Sequence, residues 1–378
     1  MSNVTEAQPD ISLIIPTLNE AENLPALVAR IAAALKGRRY EILLVDDNSR
    51  DNTPQVAAEL AQAHPLKLLV RHVPKDGLGG AVLHGMQQAR GHYLVVMDAD
   101  LQHPPEKLPE LLAPLEQNNG TDFVLGSRHV PGASTGEKWG VLRKINSEVA
   151  TLLARPFAGH ARDPMSGFFA LRRETFEHAD RLTPLGYKIG LELMCKCRVR
   201  EIKEIPIHFA ERTRGESKLS LREQFRYLEH LSRLYDFCYP RLSPIAKFLI
   251  VLGISFFVSL GMYEFLLLEG TGPMLAPIFA YPAAILVTAV FHRRYIRTQR
   301  EFIVETRPWV DFLFVALAEW ATCILTSYWL ARHAHGASAL EIYVICFGLA
   351  TFTRYALRKE LMQDVRGLRR EIRREEIE

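Results

Sequence analysis

The stretch Tyr93-Leu94-Val95-Val96-Met97-Asp98-Ala99-Asp100-Leu101-Gln102-His103-Pro104-Pro105 decides how the first part of this chain is read. Five apolar residues stop at one carboxylate, and a second carboxylate follows two residues later. A short apolar run bounded by polar and turn residues predicts a buried strand. Pro104-Pro105 then bars a simple continuation of regular structure. The two acids therefore leave the end of a strand together. Carboxylates so placed can hold a divalent cation against a diphosphate, and Gln102 adds a neutral oxygen on the same side.

Toward the N-terminus the pattern repeats. Ile11 to Ile15 is an apolar run ending at Pro16. Leu24, Leu27, Val28, Ile31 and Leu35 share one helical face, with Gly37 as a stop. Tyr40 to Val45 is a strand ended by Asp46-Asp47, a helix follows from about Thr53 to Ala63, and Leu66 to Val70 is a third strand. Gly79 to Arg90 is helical and Gly91 ends it. Strands alternating with helices predict an α/β domain with a parallel sheet. Ligands bind such sheets outside the carboxyl ends of the strands, where Asp46, Asp47, Asp98 and Asp100 fall. Beyond Gly126 the pattern loosens. Asp163-Pro164-Met165-Ser166-Gly167 reads as a turn, and Glu201 to Phe209 as an edge strand.

The chain has 378 residues and a formal net charge of +3, so bulk electrostatics gives no reason to expect a nucleic-acid partner. None of its five cysteines has zinc or redox C-x-x-C spacing, and reduced, buried thiols in a reducing compartment are expected. Met1 to Asp10 is polar and acidic, unlike a signal peptide. Leu219 to Tyr239 has helical apolar spacing (Leu221, Phe225, Leu228, Leu231, Tyr235), suited to a membrane surface. Four apolar stretches follow, at 245–268, 273–291, 309–331 and 339–357, each near the roughly 20 residues that span a bilayer. Arginines crowd the loop between the second and third and the tail after the fourth, which places both, with the preceding domain, in the cytoplasm. The expected divisions are a polar tail (1–9), a catalytic α/β domain (10–218), an amphipathic juxtamembrane region (219–242), an all-α four-span membrane domain (243–357) and a charged tail (358–378).

Asp46-Asp47-Asn48-Ser49 can bind a base or ribose, while Ser49 and Asp51 can also cap the next helix. Gly77-Leu78-Gly79-Gly80 opens a helix and could bring backbone close to a phosphate or ribose. It lacks the third glycine of a dinucleotide fingerprint, Val82 standing there, and it follows the third strand rather than the first, which excludes a nicotinamide cofactor. Arg128, Arg143, Arg212, Arg214 and Lys218 are cations in the irregular half.

As an ordered set, Pro16-Thr17-Leu18-Asn19-Glu20, Val45 to Ser49, Asp98 to Glu106, Gly126-Ser127-Arg128, Asp163 to Phe169 and Arg212-x-x-Gly215-Glu216-Ser217-Lys218 resemble the family 2 glycosyltransferases of the dolichol-phosphate mannose synthase type. The resemblance covers roughly residues 10–235. It implies a GT-A fold, a nucleotide-sugar donor with GDP-mannose favoured, a polyprenyl or dolichyl phosphate acceptor, and Mg²⁺ or Mn²⁺. On this resemblance Pro16, Leu18, Glu20, Asp47, Gly77, Asp98 and Asp100 hold the nucleotide, with Leu18 standing where the family usually has tyrosine. Asp98, Asp100 and Gln102 hold the metal. Arg128, Arg143 and Ser147 receive the lipid phosphate, and Arg212 and Lys218 lie on a mobile acceptor loop. An acceptor phosphate is already largely a dianion near neutral pH, so no general base is expected, and His103 reads as structural. The product is expected to be β-linked, by inversion.

Alternatives are a UDP-glucose enzyme of the same type, and a lipid-sugar transporter or scaffold using the spans, where Glu264 and Glu319 lie. Gln224-Phe225-Arg226-Tyr227 does not match the Gln-x-x-Arg-Trp motif of processive polysaccharide synthases.

Overall fold

The computed structural model describes residues 8–117, 120–135, 141–186, 188–210, 221–291, 308–334 and 336–375, with backbone alone at 135, 141–147, 221–223, 244, 308–309, 311 and 358–375. The chain divides into two units, Met1–Cys238 and Tyr239–Glu378.

In the first unit β1 (Ile11–Thr17) is buried along its whole length, as a central strand covered on both faces must be. It is followed by α1 (Leu24–Ala34), β2 (Tyr40–Asp46), α2 (Thr53–Leu60), β3 (Leu66–Val70), α3 (Gly77–Gln88) and β4 (Tyr93–Val96). Proline stands in the first turn of α1 and α2, where its missing N–H costs nothing and its fixed φ suits a helix start. Then come a 3₁₀ turn at Pro105–Lys107, α4 (Leu108–Glu116), β5 (Phe123–Ser127), β6 (Ser134–Thr135), α5 (Val141–Ala158), β7 (Phe169–Arg172), α6 (Arg173–Glu177), α7 (Ile189–Lys196), β8 (Ile202–Pro206), β9 (His208–Phe209) and α8 (Leu221–Cys238).

Among the described residues, seven strands pair in the order β3-β2-β1-β4-β7-β5-β8. The first four are parallel, as the alternation predicts, and β8 is at the edge. The all-parallel expectation fails at β7, which runs antiparallel to both β4 and β5. The cause is where the chain re-enters. The turn Asp163–Gly167 delivers Phe169 opposite Val96, at the carboxyl end of β4. From there a strand can only run back down the sheet. Apolar layers cover both faces, one built on α1 and α4, the other on α3, α5, α7 and α8. Helix α3 lies against the sheet closely: a Cβ at Gly85 would stand 2.6 Å from Ile14 Cγ2 and 2.8 Å from Val45 Cγ2.

The sulfurs of Cys195 on α7 and Cys238, the last residue of α8, lie against each other, with Cα atoms 7.4 Å apart, wider than a disulfide spans. The expectation of unpaired thiols does not foresee this close approach. The two helices pack in one apolar layer, which a 43-residue separation does not reveal. Cys197, Cys323 and Cys346 are free and buried.

The second unit contains α9 (Ser243–Leu268), α10 (Ala276–Phe291), α11 (Pro308–His333) and α12 (Ala339–Glu375). Among the described residues three helices are long and apolar enough to cross a membrane: Ile245–Leu268, Phe312–His333 and Ala339–Leu357. Helix α10 is apolar but only 16 residues long. The fourth apolar stretch and most of the charged tail form one continuous helix, α12. Arg354 binds Glu319 in two hydrogen bonds of 2.6 Å, both residues buried, with Thr288 Oγ1 2.9 Å from Arg354 Nη1. Tyr281 donates to Glu319 at 3.2 Å. Glu264 is exposed.

Candidate active site

The ends of β1, β2 and β4 lie side by side because the strands are parallel and in register, with Thr17 opposite Asp46 and Ile14 opposite Val96. This brings Pro16–Glu20, Asp46–Ser49 and Asp98–Gln102 to one edge of the sheet. Each turn contains a non-glycine residue at positive φ: Asn19 (58°), Asn48 (62°) and Leu101 (64°). Asparagine tolerates this conformation, but leucine does so only when its surroundings hold it there. At Leu101 the reversal lets Gln102 N–H reach Asp100 Oδ1 at 3.2 Å.

The first two turns are laced together. Asn19 N–H donates to Ser49 Oγ at 2.8 Å, and Arg50 N–H donates to Asn19 Oδ1 at 2.9 Å. Ser49 N–H donates to the fully buried Asp46 at 2.9 Å. Asp51 accepts from Thr53 N–H (3.0 Å) and Ala21 N–H (3.1 Å), so it supports the start of α2 as its position suggests. Pro16 is buried in β1, Leu18 is exposed, and Glu20 accepts from Asn23 Nδ2 at 2.7 Å. Asp47 Oδ1 is 3.2 Å from Arg71 Nη1 but has no aligned hydrogen-bond donor. Burial raises the Asp47 carboxyl above its usual range, with Arg71 opposing.

Asp100 and Gln102 are buried and Asp98 is half-buried. Gln102 Nε2 donates to Ala210 O at 3.1 Å, which orients the amide. His103 is buried, stacked on Phe168 with ring centroids 5.3 Å apart, and its Nδ1 accepts from Asp98 N–H at 3.1 Å. Burial pushes its pKa down to about 4. It is a neutral brace for the Asp98 turn, in keeping with the structural reading.

Arg128, just past the end of β5, is gripped by Asp163. Nε and Nη2 each donate to the carboxylate at 2.8 Å, and Arg128 N–H donates at 3.0 Å. Burial alone would raise the Asp163 carboxyl, but the Arg128 guanidinium outweighs it and holds it below the usual carboxylate range. The Asp163 to Phe169 motif thus positions Arg128 and packs on the carboxylate turn. A Cβ at Gly167 would lie 3.3 Å from Asp98 Oδ2, and Ser166 Oγ donates to Gly126 O at 2.7 Å.

Sequence reasoning missed Lys188. Its Nζ donates to Met165 O at 2.7 Å, and burial, then Arg128, push its pKa down to about 8 against the opposing pull of Asp163 and Asp98. A single lysine before a helix gives no sequence signal. The glycine run at the start of α3 has a packing role: Gly79 N–H donates to Gly186 O at 2.8 Å, and Cβ atoms at Gly77 and Gly79 would approach Gly186 at 3.5 and 3.0 Å. The backbone of α5 carries Arg143 and Ser147, whose side chains lie outside the described residues, as do Arg212, Arg214 and Lys218.

Among the described residues no cluster of three His, Cys, Asp or Glu side chains could hold a metal. Asp98, Asp100 and Gln102 fit a cation that completes its shell with a ligand's phosphates, the usual habit of Mg²⁺.

A family model described as "Glycosyl transferase family 2" matches residues 12–179, and one described as "GtrA/DPMS, transmembrane domain" matches residues 247–362. The dolichol-phosphate mannosyltransferase of Pyrococcus furiosus is 44% identical over 244 residues, 64% of this chain and 68% of that protein. The chain belongs to the family 2 glycosyltransferases of the dolichol-phosphate mannosyltransferase type. The Mycosarcoma maydis dolichol-phosphate mannosyltransferase is 40% identical over 66% of this glycosyltransferase and 86% of its own length. The polyprenol monophosphomannose synthase of Mycolicibacterium smegmatis is 40% identical over 55% and 80%. The first unit of the glycosyltransferase is a GT-A α/β domain, and the second contains the membrane helices.

Proposed function

We propose that this glycosyltransferase moves mannose from GDP-mannose to a polyprenyl or dolichyl phosphate, giving a β-linked lipid-phosphate mannose. The observation that carries the reading is the pair Asp98 and Asp100 at the carboxyl end of β4, in a chain 44% identical to a dolichol-phosphate mannosyltransferase. Pro16, Leu18, Glu20, Asp47, Gly77, Asp98 and Asp100 would hold the nucleotide. Asp98, Asp100 and Gln102 would hold Mg²⁺ or Mn²⁺, which when bound offsets charge on the leaving diphosphate. Arg128, oriented by Asp163, would receive the lipid phosphate with Arg143 and Ser147, and Arg212 and Lys218 would close over it.

A phosphate oxygen attacks the anomeric carbon as the bond to the diphosphate breaks, and GDP leaves with the bonding electrons. No proton must be removed, because the acceptor is largely a dianion near neutral pH, its second pKa being about 6. The neutral, buried His103 is consistent with a site that uses no base. Rate enhancement then comes from positioning and charge stabilisation. The catalytic unit would face the cytoplasm, on the side of the arginine-rich loop and tail; labelling of single cysteines in sealed vesicles reads that side.

The test is a donor panel. Full-length enzyme is incubated with one polyprenyl phosphate and labelled GDP-mannose, GDP-glucose, UDP-glucose or UDP-galactose. GDP-mannose should exceed the others by at least tenfold. UDP-glucose as the best donor would replace this reading with the glucosyltransferase one, which the exposed Leu18 in place of the family's tyrosine keeps in view.

A further inference from the structure

A cavity of about 650 Å³ opens between the segment Val70–Asp76, the outer face of α3 and the segment Arg181–Pro184, with Arg233 of α8 in its lining. None of Asp98, Asp100, Gln102 or Arg128 lines it. Its charge is one-sided. Arg71, His72, Lys75, His84, Arg181 and Arg233 line it with a single carboxylate, Asp76. Two of these arginines also face carboxylates outside the lining, Arg71 at 3.2 Å from Asp47 and Arg233 at 2.9 Å from Glu229, which offset part of that charge.

The walls are held by buried groups. Glu192, fully buried, accepts from Thr183 N–H and from Lys196 Nζ, both at 2.7 Å. Lys196 Nζ also donates to Arg181 O at 2.8 Å and Thr183 Oγ1 at 3.2 Å. This buried pair fixes the segment that carries Arg181. On α8 the buried His230 has Nε2 3.4 Å from Glu192 Oε2. Arg233 follows three residues later, its Nη2 2.9 Å from Glu229, while its buried Nε has no acceptor. Arg71 is tied to the backbone of Lys75 and Gly77.

Like charges held together by fixed scaffolding repel one another, and an anion between them relieves that cost. Guanidinium groups suit phosphate oxygens through charge-assisted hydrogen bonds. The volume exceeds that of a bare phosphate and falls in the range of small-ligand sites. We infer that this cavity binds a phosphate-bearing group of headgroup size, at a place distinct from the Asp98–Gln102 turn and Arg128. Two sources share that chemistry: the headgroup of an anionic phospholipid and a soluble phosphate ester.

The test is equilibrium binding to the full-length enzyme in a non-ionic detergent, using dioctanoyl phosphatidylglycerol as the lipid probe and glycerol 3-phosphate as the soluble one. At least one should bind, more weakly as salt rises. Arg181→Ala with Arg233→Ala should lower that affinity at least tenfold, and Lys75→Ala severalfold, while the donor KM moves less than twofold. Lys75 lies on an exposed segment apart from the Glu192 scaffold, so its variant serves if the arginine pair destabilises the fold. Tighter binding of the lipid probe assigns the site to a membrane headgroup; tighter binding of glycerol 3-phosphate assigns it to a soluble ester. Failure of both probes to bind, equal affinity in wild type and variants, or a parallel loss of donor affinity would overturn the inference.

Discussion

At the scale of single residues, charge around the carboxylate turn is set by contacts that form only in the folded chain. The place of Asp98, Asp100 and Gln102 at the sheet's edge was legible because an apolar strand ending in two acids predicts a turn at a strand end. Lys188 was not, because its meaning comes from folding beside Met165 and near Arg128, Asp163 and Asp98. Its depressed pKa has a definite sign. Between about 8 and the ordinary lysine value of about 10.4, the unfolded chain holds the proton that the folded chain has lost. Stability contributed through this group therefore rises with pH across that window. Turnover should move the other way if the ammonium faces the donor's phosphates, with kcat/KM falling above about pH 8. Lys188→Arg should push that alkaline limb upward by a unit or more, and Lys188→Met should lower kcat/KM at least tenfold at neutral pH. An alkaline limb unchanged in Lys188→Arg would show that another group titrates.

At the scale of elements, the strand and helix pattern from Ile11 to Met97 was readable from apolar spacing and punctuation. The antiparallel β7 was not. Its direction depends on where a long irregular segment re-enters the sheet, and periodicity carries no such information. Helix α3 gives the sharpest packing prediction. Gly85 allows the helix to touch β1 and β2, and a methyl group there meets the Ile14 and Val45 side chains at 2.6 and 2.8 Å. Gly85→Ala should destabilise the first unit by about 1–3 kcal/mol through overpacking. Thermal unfolding measures this, and an unchanged melting temperature would mean that the helix shifts freely.

At the scale of the whole molecule, hydropathy located the membrane region, while the partner of Glu319 lay 35 residues away and was invisible to it. Arg354 makes the intramembrane acid half of a buried, bidentate pair. Glu319→Ala should cost about 3–5 kcal/mol by leaving a buried charge unpaired, whereas Glu319→Leu with Arg354→Met should recover most of the loss. Unfolding in detergent compares the two, and equal losses would argue against a paired role. The central claim joins both units: one enzyme that inverts a nucleotide-activated mannose onto a membrane lipid's phosphate. The most direct measurement is the anomeric configuration, by nuclear magnetic resonance, of the lipid product formed by full-length enzyme from GDP-mannose and polyprenyl phosphate. A β-mannosyl phosphate is the predicted result; an α-linked product, or no lipid-linked mannose at all, would contradict it.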